Sequence, residues 1–103
     1  MQTTPRITLR KVAPSEALEQ RIFEETEKLE QFCDQLVACR VVVDKPHHHK
    51  HKGTPFEVSV DVTMPGREFV VSHRHDEDVY VALHAAFQAA RRQIRDYIAH
   101  KSP

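Results

Sequence analysis

The sequence predicts an α+β fold in the order β-α-β-β-β-α, a four-stranded sheet with two helices packed on one face. Three observations predict it. Residues 15–34 and 76–100 carry apolar side chains at helical spacing. Residues 56–64 alternate strictly between apolar and polar, as a sheet with one wet face requires. A Pro-Gly pair at 65–66 then turns the chain straight back. Two amphipathic helices and a half-wet sheet bury their apolar surfaces most simply by laying both helices on the dry face.

The elements follow in order. "RITLRKV" (6–12) is a short strand that stops before Pro14. Ser15 can cap the helix after it, with Glu16 and Glu19 suited to the positive N-terminus. That helix is expected to reach about Asp34, with Leu18, Ile22, Leu29, Phe32 and Leu36 on its apolar stripe. From Val37 to Lys45 a β-branched run places Cys39, Val41 and Val43 on one face and Arg40, Val42 and Asp44 on the other. In "FEVSVDVTM" (56–64), Phe56, Val58, Val60 and Val62 point inward. Pro65 and Gly66 suit the two central positions of the turn, and "EFVVS" (68–72) returns as the hairpin partner. "SHRHDED" (72–78) is read as the exit from that strand, and the last helix starts near Asp76, Glu77 and Asp78 and runs to about His100. Val79, Leu83, Phe87, Ala90, Ile94 and Ile98 form its expected buried stripe.

With 103 residues the chain has room for one core, hence one expected domain over 1–103. Lys+Arg and Asp+Glu are 15 each, so net charge gives no general attraction to nucleic acid or anionic membrane, and distribution decides. Residues 16–34 hold seven acids against Arg21 and Lys28, locally −5. Residues 40–52 hold Arg40, Lys45, Lys50 and Lys52 against Asp44, locally +3. Arg91, Arg92 and Arg95 fall within five residues, on the flank of the last helix away from Leu83, Ala90 and Ile94. Such a trio serves either as a solvated face favoured by the helix dipole or as a row of phosphate contacts.

Cys33 and Cys39 have neither metal-ligand nor redox-motif spacing and are expected to be reduced, partly buried thiols of a cytoplasmic protein. There is no apolar run of membrane-spanning length and no signal-peptide pattern. Neither a nucleophile–base motif nor a Gly-rich phosphate loop occurs, and the only glycines, Gly53 and Gly66, both stand in turns, so no enzymatic activity and no cofactor are expected. "KPHHHKHKG" (45–53) is predicted to join the second and third strands beside the exit of the fourth. That brings His47, His48, His49, His51, His73 and His75 to one edge of the sheet. The edge reads as a basic loop tuned by pH, as a plain solvated hairpin loop, or, as the lesser alternative, as a metal site, since it lacks the fixed ligand geometry of structural zinc.

Several strings resemble the ribosome hibernation promoting factors, the family of ribosome-associated inhibitor A, also called sigma-54 modulation or ribosomal subunit interface proteins. They are "SEAL" (15–18), "KLEQF" (28–32) with Asp34, "RVVV" (40–43), and "DVYVAL" (78–83) leading into "ARRQI" (90–94). The histidine-rich loop with the Pro-Gly turn is similar to one branch of that family. The resemblance implies a non-catalytic factor that binds small-subunit ribosomal RNA in the channel for messenger and transfer RNA and inhibits translation during stress or stationary phase. It carries RNA contacts onto Lys28 and Arg92. Arg91 and Arg95 join them by proximity, and Arg40, Lys50, Lys52, Arg10 and Lys11 are further candidates. Glu19, Glu25, Ala89 and Asp96 stand where members often carry Arg or Lys, so weaker, less salt-dependent binding is expected. The small ribosomal subunit and its RNA are the implied partners, with no membrane, no small-molecule substrate, and a monomer or weak homodimer as the expected state. The alternatives are a histidine-rich metal- or pH-responsive binding module and a homodimeric protein-interaction domain.

Overall fold

The computed structural model describes residues 4–46 and 55–101, apart from the side chains of residues 72, 73 and 101. Within them the chain forms β1 (Arg6–Arg10), α1 (Glu16–Phe32), β2 (Ala38–Asp44), β3 (Phe56–Met64), β4 (Arg67–Asp76) and α2 (Val79–Lys101), the predicted α+β order. The sheet runs β1-β2-β3-β4. β1 lies parallel to β2, as a strand-helix-strand crossover allows, and β2, β3 and β4 form the antiparallel meander.

β-branched alternation sets the faces. Val41, Val43, Val58, Val60 and Val62 have no exposed surface, and with Cys39, Met64, Phe69 and Val71 they form the dry face. Leu18, Ile22 and Leu29 of α1 and Leu83, Phe87, Ala90 and Ile94 of α2 close over it. Small residues let the helices approach closely: Ala82 and Ala86 are buried, and the Thr26 hydroxyl donates to the Ile22 carbonyl at 2.9 Å. The polar alternates, Arg40, Asp61, Thr63 and Glu68 among them, lie on the other face of the sheet, which neither helix covers.

Four boundaries differ from the sequence expectation by two residues or more. β1 ends at Arg10 rather than Val12, because Lys11 takes a left-handed φ of 59° that no strand continues. α1 ends at Phe32 rather than near Asp34. Cys33 is extended there and its N–H donates to the Leu29 carbonyl, so Leu36 reaches the core from a turn and not from the helix. β4 continues to Asp76, so most of "SHRHDED" is strand. The nine residues of β3 need a partner along their whole length, and a bulge opposite Val58/Val60 absorbs the extra residue of the ten-residue β4. α2 begins at Val79, with Asp78 as its cap: the Asp78 carboxylate accepts from the Tyr80 N–H at 2.9 Å.

One buried position was misread. Ile98 is 43 % exposed, because α1 has ended before that turn of α2 and leaves its flank uncovered.

Candidate functional site

Both helices start at the end of the sheet where β1 and β4 finish, so α1 and α2 run parallel. Three contacts fix their register. The Arg21 guanidinium lies 5.2 Å from the Tyr80 ring centre, Glu25 Oε2 lies 3.2 Å from His84 Nδ1, and the Arg91 guanidinium lies 4.6 Å from the Phe32 ring centre. Each pair is separated by the same 59 positions, so the helices keep step along their contact. Equal rise per residue in the two helices makes that constancy possible.

The same register brings Lys28 alongside Phe87 and Gln88, near Arg91. The result is a groove of about 150 Å³ lined by Glu25, Lys28, Leu29, His84, Phe87, Gln88 and Arg91. Its floor is apolar, from Leu29 and Phe87, and its rim is polar. Lys28 and Arg91 are exposed, and the stacking on Phe32 holds the Arg91 guanidinium at the lip without removing its charge. Glu25 is buried, an unusual place for a carboxylate, and its hydrogen bond with His84 satisfies it. His84 Nε2 in turn lies 3.2 Å from the Gln88 amide nitrogen. The groove can hold an anion between a lysine and an arginine, and its lining carries no hydroxyl or thiol.

The candidate residues divide into groups. Lys28 and Arg91 meet across the groove, and Arg92 and Arg95 extend the row on the exposed side of α2, while Ala90 and Ile94 between them are fully buried. Arg40 does not join them. It alternates with Cys39 and Val41, so it faces the opposite side of the sheet, between Arg6 of β1 and Asp61 of β3. Arg10 and Lys11 are exposed at the far end of β1, with Arg10 beside Asp44. Lys50, Lys52, His47, His48, His49 and His51 lie outside the described residues, as does the side chain of His73. The meander register does put His75 opposite Glu57, next to where that loop begins and ends, and His75 Nε2 lies 3.1 Å from Glu57 Oε2.

Reading the sequence missed the Glu25–His84 pair and Arg67. Glu25 is one of the seven acids over residues 16–34, and its place one turn after Ile22 and one before Leu29 sets it at the border of the buried stripe. Arg67 directly follows the Pro-Gly turn, where a single charge has no spacing pattern to mark it. Its guanidinium lies 5.3 Å from the Phe69 ring centre and 4.9 Å from that of Tyr97.

Two solved structures share this architecture. The N-terminal domain of Protein Y from Thermus thermophilus superposes with a TM-score of 0.75 at 20 % identity, over 94 % of this chain and 99 % of that one. A ribosomal subunit interface protein from Coxiella burnetii gives 0.74 at 18 % identity, over 92 % and 97 %. At such identities the likeness establishes the fold. No curated protein matches the sequence. The sequence profile of one family, described as sigma 54 modulation protein / S30EA ribosomal protein, matches residues 6–101, from the first residue of β1 to the last of α2. With every described element inside that match, the chain belongs to the sigma 54 modulation protein / S30EA ribosomal protein family.

Proposed function

We propose that the protein is a non-catalytic, ribosome-associated factor. It binds RNA of the small subunit through the groove between its parallel helices, occupies the channel for messenger and transfer RNA, and so inhibits translation. The observation that carries this reading is the convergence of Lys28 and Arg91 on one groove, continued by the exposed Arg92 and Arg95, on a chain of this family. Arginine forks match phosphate oxygens, and a row of them on a rigid helix fixes the spacing of the phosphates it accepts. A neutral molecule can bind a polyanion where some of its cations are gathered locally, and here Arg91, Arg92 and Arg95 fall within five residues of α2. Family membership supports the ribosome as the partner, and so does the shared fold of the ribosomal subunit interface protein from Coxiella burnetii. The described helices include none long and apolar enough to cross a membrane.

Sedimentation with isolated small subunits at low salt tests the proposal. The unaltered chain is expected to travel with the subunits, and Arg91→Glu combined with Arg92→Glu to remain in the supernatant while keeping its circular dichroism spectrum. Equal sedimentation of the two proteins would remove the groove from the interface.

A further inference from the structure

A second cleft lies on the opposite flank of α2, where its C-terminal third faces the start of β4. It encloses about 410 Å³ and is lined by Arg67, Phe69, Gln93, Asp96, Tyr97 and His100. That volume falls within the range of sites for small planar molecules. We infer that this cleft holds an unstacked nucleobase of single-stranded RNA, read by Asp96 and Gln93 while stacked on the Arg67 guanidinium. The inference rests on the proposal that the protein binds RNA and names a contact apart from the phosphate row.

The chemistry selects the ligand. Phe69 and Tyr97 meet edge to face, with ring centres 5.5 Å apart and planes at 68°, and Arg67 lies against both. The two rings therefore keep the planar guanidinium beside the cleft on an otherwise exposed side chain. Bases of single-stranded RNA stack on such planes, aromatic or guanidinium. At the rim, the Gln93 amide can both donate and accept, and the Asp96 carboxylate only accepts. His100 Nδ1 lies 2.7 Å from the Asp96 carbonyl, which can only accept, so that nitrogen carries the proton and Nε2 of the neutral ring is left as an acceptor. Unlike Glu25, which is buried and held by His84, Asp96 is exposed in the cleft wall, so a phosphate alone is a poor match there, whereas a base edge bearing N–H groups suits it. Guanine, with two adjacent donors, fits Asp96 best, and uracil, with one, fits it least. Arg92 stands one helical turn before Asp96 on the exposed side, within reach of the phosphate attached to a base in the cleft.

NMR titration of the labelled full chain tests this, following the Arg67 Nε–H and the Tyr97 ring signals. The probes are GMP, UMP, a six-nucleotide single strand alternating G and A, and hexauridylate. GMP and the purine strand are expected to shift both signals, with uridine probes at least fivefold weaker. The purine strand is expected to bind more tightly than GMP, because a chain adds phosphate contacts. Arg67→Lys keeps the charge and removes the plane, and should weaken the purine strand at least fivefold while leaving the fold intact by NMR. Equal binding by Arg67→Lys, equal response to purine and uridine strands, or tighter binding of GMP than of the strand would each overturn the inference. If the unaltered chain sediments with small subunits but the purine strand leaves Arg67 and Tyr97 unmoved, the cleft assignment fails alone. If it does not sediment, the ribosome proposal fails, and the titration still decides the cleft.

Discussion

Cys39 sits under α1 with 3 % of its surface exposed, and its thiol is pushed up from the ordinary 9.0 to about 11. Burial is the main cause, the contact with the Thr26 hydroxyl at 4.0 Å opposes it, and the charge of Asp61 adds to it. Because the folded thiol holds its proton more tightly than the unfolded one, its contribution to stability is fully present below pH 9.0 and falls away as pH rises to about 11. A shift of this size corresponds to roughly 2–3 kcal/mol across that window. Urea denaturation between pH 8 and 11 should show this decline in the unaltered chain, and Cys39→Ala should lack that part of it. The sequence leads one to expect reduced, partly buried thiols at Cys33 and Cys39, and both are free and buried. It did not reveal that Glu25 is equally enclosed, because His84, the partner that makes its burial tolerable, comes from the other helix and 59 positions away.

Each element begins or ends on a local device whose cost can be measured. Ser15 opens α1 with its hydroxyl accepting from the Leu18 N–H at 3.2 Å, so Ser15→Ala should lower stability by about 0.5–2 kcal/mol in urea denaturation. Gly66 holds a φ of +76°, and a methyl group there would meet nothing within 4 Å. Gly66→Ala should therefore cost only the backbone term, about 1–2 kcal/mol, and leave the hairpin register unchanged in the amide spectrum. Both devices were legible because caps and tight turns depend on residues adjacent in sequence. The length of β4 was not. His73, Arg74 and His75 carry no apolar alternation, and only pairing with β3 makes them strand. The same limit applies to the site: the arginine row on one helix could be read from spacing, whereas the faces occupied by Lys28 and Arg40 depended on how the elements pack.

Taken whole, the molecule has no net charge, and its charges are unevenly spread, with three arginines close together on α2 and seven acids over residues 16–34. Its affinity for a polyanion should therefore depend on few contacts and fall with salt less steeply than that of a strongly basic protein. Removing the Arg91 and Arg92 charges with glutamine should flatten the plot of log affinity for small subunits against log salt by about two units, one for each lost phosphate contact. Arg40→Gln, on the opposite sheet face, should leave that slope unchanged, as fluorescence anisotropy across a salt series would report. The 59-position step between α1 and α2 has a consequence for how such a surface changes over time. Where the two helices run side by side, matching turns meet as rungs of a ladder: 21 with 80, 25 with 84, 32 with 91. Substitution at a matched pair of positions should therefore change the chemistry between the helices with no insertion in either. The acid–imidazole rung at 25 and 84 is one setting of such a ladder, and the arginine over the Phe32 ring at 32 and 91 is another.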